Sequence, residues 1–283
     1  MNYNDFGLWL MAPLFLRHIK AMEASAEEIK AMQTGGGFER VGNIAVISII
    51  GAMSKGLSWY GGTSTLQVRE QLARAVADDS VSGILLDIDS PGGNVSGTKE
   101  LADAVKMASK KKLVYAQISD LGASASYWVA SQASKIFINE MGEVGSIGTV
   151  AVVEDYSEAY KEAGIKVHVI STGALKGAFA SGSEVTQEMI DDLQKRVNDI
   201  NFFFLEAVST GRKIKLDKLE AIATGAVYSA KEGLKLKLVD AVQSIDDTMQ
   251  TMGALVSSKP SVRKRTEVFN RLKSAVEAEP SKQ

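Results

Sequence analysis

Leu113-Val114-Tyr115-Ala116-Gln117-Ile118, and then Asp120-Leu121-Gly122-Ala123-Ser124-Ala125-Ser126-Tyr127-Trp128, read as a buried strand running through a turn of small residues into a helix. The first run is apolar and β-rich. Tyr127 to Ala133 takes up helical apolar spacing, so the helix is predicted over Ala123 to Ala133. Small neighbours let a bound backbone come close to the Ser124 hydroxyl, and helix amides point at negative charge developing there. A serine at this place is also an ordinary helix cap. Both readings stay open on this stretch alone, because G-x-S-x-S departs from the G-x-S-x-G nucleophile elbow.

Outward from this unit the same alternation recurs. Asn43 to Ile50 and Gly83 to Ile88 are near-continuous apolar runs, expected of strands buried on both faces. Thr65 to Ala77 and Gly97 to Ala108 read as the helices that follow them. Beyond the central unit, strands are expected at Lys135 to Asn139, Ile147 to Val153 and Lys166 to Ile170, with a helix at Tyr156 to Ala163. Repeated strand–helix–strand units argue an α/β fold with right-handed crossovers and a largely parallel sheet. After a small-residue loop, Thr172 to Ser183, the pattern turns helical. Thr186 to Thr210 is a long helix with a capping-box variant at Thr186 and an offset Glu188. Leu216 to Ala223 and Ser244 to Val256 are shorter helices, with an extended piece at Ala226 to Ser229.

The ends differ from this middle. Residues 1 to 37 read as an amphipathic arm, a helix near Ala24 to Met32 and a Gly35-Gly36-Gly37 hinge; residues 38 to 257 form the main domain. From Ser258 to Gln283 there are seven basic residues, three acidic ones and two prolines, as in a mobile tail. The apolar run Phe6 to Leu16 is broken by Pro13 and is too short to span a bilayer. It carries Asp5 where a secretory signal has basic residues, so a cytoplasmic protein without a membrane anchor is expected.

Composition narrows the chemistry. The 283 residues carry a net charge of −2, which gives no general pull toward nucleic acid. The absence of cysteine excludes disulfides, thiolate catalysis and cysteine metal ligands, and the two histidines, His18 and His168, do not suggest a metal site. His168, between Val167 and Val169, reads as a packed strand residue, and His18 lies in the arm. A nucleophilic serine would therefore need another base, and desolvated lysine is the alternative. Lys176 is set among Gly173, Ala174, Leu175, Gly177, Ala178 and Phe179, unlike the lysines of the charge runs, although a surface lysine is equally compatible with that setting. Asp87-Ile88-Asp89-Ser90-Pro91-Gly92-Gly93 leaves a strand with its backbone restricted at Pro91. It could aim an amide into a cleft or simply make a tight turn. Trp59-Tyr60 could line a groove or cover a core edge.

Taken together, Asp89-Ser90-Pro91-Gly92-Gly93, Ala123-Ser124-Ala125-Ser126-Tyr127, Val144-Gly145-Ser146-Ile147-Gly148 and Ser171-Thr172-Gly173-Ala174-Leu175-Lys176 resemble the signal peptide peptidase A family of serine peptidases. The likeness runs from about Val41 to Val242 and includes Ala226 to Leu234. It implies the ClpP/crotonase fold, no cofactor and a Ser/Lys dyad. By that resemblance Ser124 is the nucleophile and Lys176 the general base. Gly93, helped by the Ala125 amide, makes the oxyanion hole, and Ser146 orients the lysine. Ser126 is a rival nucleophile, because Ala125-Ser126 stand where the family commonly has glycine. The single Ser-then-Lys domain and the lack of an anchor are similar to the tailed-phage capsid assembly proteases. That likeness implies scaffold or head-protein substrates, a setting in the host cytoplasm within the procapsid, and a homo-oligomeric ring. A membrane-remnant or cytosolic peptide-degrading enzyme, a crotonase-like acyl-CoA enzyme and an inactive scaffolding protein of the same fold are the competing classes.

Overall fold

The computed structural model describes residues 9–11 (backbone only), 37–56 and 62–257. His18, Trp59-Tyr60, the Ala24 to Met32 helix and the basic tail lie outside them. Its main sheet is built on parallel strands β3 (Ile44–Ile50), β6 (Gly83–Ser90) and β8 (Leu113–Ala123). Beside β8 run β9 (Lys135–Ile138) and β10 (Glu143–Gly145), both parallel to it. Short strands flank this core: β2 (Glu39–Val41) is antiparallel to β3, β11 (Val227–Ser229) antiparallel to β10, and β12 (Ala241–Val242) parallel to β9. The expected α/β class with a largely parallel sheet is what the chain forms.

Period-two geometry explains the layers. Ile84, Leu86 and Ile88 of β6, and Val114, Ala116 and Ile118 of β8, enter the main core. There they meet α1 (Thr65–Ala77), α2 (Thr98–Ser109) and α3 (Ala125–Ala130). Leu85 and Tyr115, on the opposite face, join Ile44, Phe137, Met252 and Val256 in a second core under the C-terminal helix Ile245–Ser257. Gln117 shares that face. It is fully buried because Thr248 donates to its Oε1 at 2.6 Å while its amide nitrogen reaches Asn139 and the Gln243 carbonyl.

Strand β8 forks. Tyr115 to Ile118 pair with β9, but Leu121 to Ala123 pair with β10, so the sheet changes neighbour at Ser119-Asp120. Strand β8 is also longer and α3 shorter than the sequence suggests, with only Ser124 between them. A second sheet of four short strands has the order β1 (Trp9–Met11), β7 (Gly92–Asn94), β4 (Met53–Ser54) and β5 (Thr63–Ser64).

Between β10 and the long helix α5 (Gln187–Arg212) lies an arm, residues 150–185, with one short helix, α4 (Ser157–Glu162). The strands expected at Ile147 to Val153 and Lys166 to Ile170 are not formed. A β-rich sequence needs a partner edge: among the described residues no strand pairs with these segments, of which Ile147 is buried in the main core and Val150 makes only an isolated bridge. His168 is accordingly exposed rather than packed in a strand. Thr186 caps α5 by accepting from the Met189 amide, so the third helical residue is Met189 and the reciprocal half of the expected box is missing. A complete capping box occurs at Ser229 and Glu232, at the start of the helix Ala230–Lys235.

Candidate active site

Ser124 joins β8 to α3 with φ 56° and ψ −120°, a backbone conformation outside both strand and helix. Such a residue is strained by about 1–3 kcal/mol and is held only because its surroundings over-determine it. Its amide donates to the Gly145 carbonyl at 2.8 Å, and its carbonyl accepts from Trp128. Trp128 in turn stacks on Phe204 of α5, with ring centroids 4.8 Å apart. The residue is 1% exposed, yet its hydroxyl has no hydrogen-bond partner among the described residues. A buried hydroxyl left unpaired costs about 1–3 kcal/mol, so this one needs an explanation.

Ser126 is different. Its hydroxyl, fully buried, reaches the carbonyls of Ser90 at 2.9 Å and Ala123 at 2.8 Å. It ties α3 to the turn that carries Pro91. That turn is braced further by the Ser90 hydroxyl, which donates to Gly51 and accepts from the Gly92 amide.

Next to this turn, β7 runs parallel to β4 with Gly93 opposite Met53. A Cβ at position 93 would lie 1.9 Å from the Met53 carbonyl oxygen, so only glycine allows the two backbones to approach this closely. Helix α3 packs against β7. The Ala125 amide is among the first four of α3, which have no acceptor within the helix.

Ser146 arrives from the other side. Gly145 of β10 is in register with Ala123 of β8, which makes Ser146 and Ser124 the next residues of adjacent parallel strands. Gly145 has φ 129°, and a Cβ there would meet the Ala226 carbonyl at 2.7 Å. Ser146 is nearly buried at φ 50°, with its amide donating to Ala226.

The structure thus gathers Ser124, Ala125, Ser146 and the Gly93 strand at the carboxyl ends of β6, β8 and β10, where ligands bind in open α/β sheets. It does not bring Lys176 to them. Lys176 is exposed on the arm, and among the described residues the Ser124 hydroxyl has no hydrogen-bond partner. The small and apolar residues flanking Lys176 in sequence do not shelter it in the single chain.

Ser146 also opens a cavity of about 360 Å³, lined by Ile147, Gly148 and Thr149 on one wall and Asn198 and Asn201 of α5 on another. Thr149 Oγ1 and Asn201 Oδ1 are buried there and have no hydrogen-bond partner among the described residues. Sequence reasoning missed these asparagines. Their signal was the Asn198–Asn201 spacing of one turn inside an otherwise amphipathic helix.

The carboxyls of the Asp87–Gly93 motif lie elsewhere. Asp87 and Asp89 alternate with Leu86 and Ile88 and so share the opposite face of β6. Burial pushes both above the usual carboxylate range. The Ser119 hydrogen bond opposes this at Asp87, whereas the negative charge of Asp120 reinforces it at Asp89. Among the described residues no three His, Asp or Glu side chains cluster as metal ligands, and no helix is long and apolar enough to cross a membrane.

The sequence profile of Peptidase family S49 matches residues 106–259. A Methanocaldococcus jannaschii protein named as a protease is 33% identical over 65% of this chain and 60% of its own length. The head-tail preconnector protein GP5 of Enterobacteria phage P21 is 28% identical over 77% of this chain and 44% of its own length. The capsid assembly protease C of Escherichia phage lambda is 29% identical over 79% of this chain and 52% of its own length. The chain therefore spans about half the length of these curated relatives.

Proposed function

Because the chain belongs to peptidase family S49, we propose that it is a serine endopeptidase in which Ser124 is the nucleophile and Lys176 the general base. The observation that carries this reading is the Ser124 hydroxyl: buried, unpaired and held on a strained strand-to-helix turn beside a glycine strand. Ser126, with its hydroxyl engaged by two carbonyls, is a structural residue. In the reaction, neutral Lys176 takes the proton of Ser124 as the oxygen attacks the peptide carbonyl. The Gly93 and Ala125 amides receive the oxyanion, and the tetrahedral adduct collapses with protonation of the leaving amine by Lys176. Water, deprotonated by the same amine, then releases the acyl group and regenerates Ser124. Ser146 holds the lysine in place.

A lysine is neutral near pH 7 only when desolvated. In the single chain the arm leaves Ile170 97% exposed, with Val152 and Ile165 also open. Covering that arm in a homo-oligomeric ring would supply the shelter that Lys176 lacks, and we assign the active form to such an assembly. The phage names among the relatives favour a capsid maturation role, with scaffold or head proteins as substrates and the host cytoplasm or procapsid as the setting. The test is expression with a candidate scaffold or head protein and mass spectrometry of the products. Processing by the wild-type chain that disappears in both Ser124→Ala and Lys176→Ala supports the dyad. Undiminished processing in either variant overturns it.

A further inference from the structure

Strand β1 is where the N-terminal arm meets the candidate site. Trp9-Leu10-Met11 pairs antiparallel with β7 in the register Trp9 to Asn94, Leu10 to Gly93 and Met11 to Gly92. On its other side β7 pairs with β4 through Met53 and Gly93. Gly93 is therefore flanked on both sides by backbone, and the edge of β7 not used by β4 is taken by residues 9–11.

An extended peptide adds to a sheet edge through main-chain hydrogen bonds, and β7 is the edge on which such a peptide would lie beside Ser124. The helix that Ser124 caps packs against this strand, and Ser126 ties that helix to the turn feeding it. The occupant is chemically suited to the position. It is an apolar tripeptide from the run Phe6 to Leu16, and the strand stops two residues before Pro13, where the chain loses an amide donor.

We infer that residues 9–11 are an internal strap that occupies the peptide-binding edge of β7 and competes in cis with an extended, apolar peptide substrate. This rests on the peptidase reading for its consequence, although not for the pairing itself. Release of the strap exposes the β7 edge. A chain whose competent state is populated one time in ten shows an apparent affinity about tenfold weaker than the released chain.

The experiment uses the full chain and its variant Leu10→Pro, which removes an amide opposite Gly93. A second variant has residues 9–11 replaced by Gly-Ser-Gly in case the first misfolds, and unfolding midpoints are recorded for all. Hydrogen exchange over Gly92–Asn94 is measured in the Ser124→Ala background, where no chemistry intervenes. It should quicken at least tenfold in both variants. A synthetic peptide of residues 5–16 should restore slow exchange. With Ser124 present, KM for an apolar peptide should fall about tenfold at unchanged kcat, and the synthetic peptide should inhibit the variants competitively. Unchanged exchange and unchanged KM overturn the strap. Cleavage within residues 1–16 of the wild-type chain overturns it as well, since the segment would then be a substrate. Quickened exchange without hydrolysis by any chain upholds the strap and sinks the peptidase reading instead.

Discussion

The sheet body from Ile44 to Gly145 and the arm from residue 150 to 185 have similar apolar content and opposite fates. In the body each apolar strand has neighbours. Ile84, Leu86, Ile88, Val114, Ala116 and Ile118 are all fully buried. In the arm, Val167 to Ile170 has the same β-branched character but pairs with no strand among the described residues, and Ile170 lies open. If the proposed dyad holds, the difference teaches that one copy of the chain completes its serine half but not its lysine half. The body sets Ser124 and Ser146 side by side beyond the ends of β8 and β10, with α3 packed against the Gly93 strand, whereas the arm carries Lys176 into solvent. Activity on this view is linked to whatever covers the arm.

The largest expected effect breaks the body's half. Ser124→Ala should lower peptide turnover by about 10³-fold or more, while Ser126→Ala should keep activity and lose about 1–3 kcal/mol of stability by removing the buried hydroxyl's hydrogen bonding to the Ser90 and Ala123 carbonyls. Equal activity loss in the two variants, read by turnover and urea unfolding, would remove the distinction between the serines. Next comes a paired contrast. Phe204→Ala, which empties the stack under Trp128, should cost about 3–5 kcal/mol. Ile170→Asp should change stability by no more than about 0.5 kcal/mol yet lower the assembled mass in light scattering. An Ile170→Asp chain with unaltered mass and full activity would show that the arm needs no cover.

Gly93→Ala sharpens the comparison within the body. Its Cβ cannot fit against the Met53 carbonyl. The shift it forces should cost about 10²-fold in kcat by displacing the amide proposed to receive the oxyanion. The smallest effect is a pH dependence. Asp240 accepts from Arg212 at 2.8 Å, the Ile136 amide at 2.8 Å and Lys135 at 3.0 Å. Burial alone would raise its pKa, but these bonds and the Arg212 charge outweigh burial and hold the carboxyl below its ordinary value. A depressed folded-state pKa means that its stabilisation is complete above the unfolded-state pKa of about 4 and fades as pH falls through the folded-state value. Asp240→Asn should therefore flatten the acid limb of the unfolding midpoint against pH. An unchanged limb would relieve Asp240 of that role.

Much of this architecture was legible because burial on both faces writes itself as continuous apolar runs. Gly83 to Ile88 and Leu113 to Ile118 needed only their own composition to be read as strands, and Thr65–Ala77 only its periodicity. What failed did so where a neighbour decides the outcome. Ile147 to Val153 has strand composition but makes only an isolated bridge, at Val150, while Gly92–Asn94 is a strand without strand composition, fixed by the edges of β1 and β4. The end of β8 at Gly122-Ala123 was hidden for the same reason, being set by its pairing with β10. The position of Ser124 beyond a strand end followed from reading Leu113 to Ile118 as a strand, but the strand Glu143–Gly145 that leads to Ser146 was not expected, and the isolation of Lys176 could not be read. Flanking glycines and alanines describe its chain neighbours and say nothing of solvent.

The fork in β8 has an evolutionary consequence. Residues up to Ile118 are bound to β9 and to the cores on both faces, whereas residues from Leu121 onward answer to β10 alone on that side. The segment from Ser119 to Thr149 is nevertheless knitted into the same core, through Trp128 on Phe204, Tyr127 on the Leu238 carbonyl and β9 beside Tyr115 to Ile118. A relative's version transplanted at those two seams would have to bring along its partners on α5 and beside β8, so this stretch and its neighbours change together.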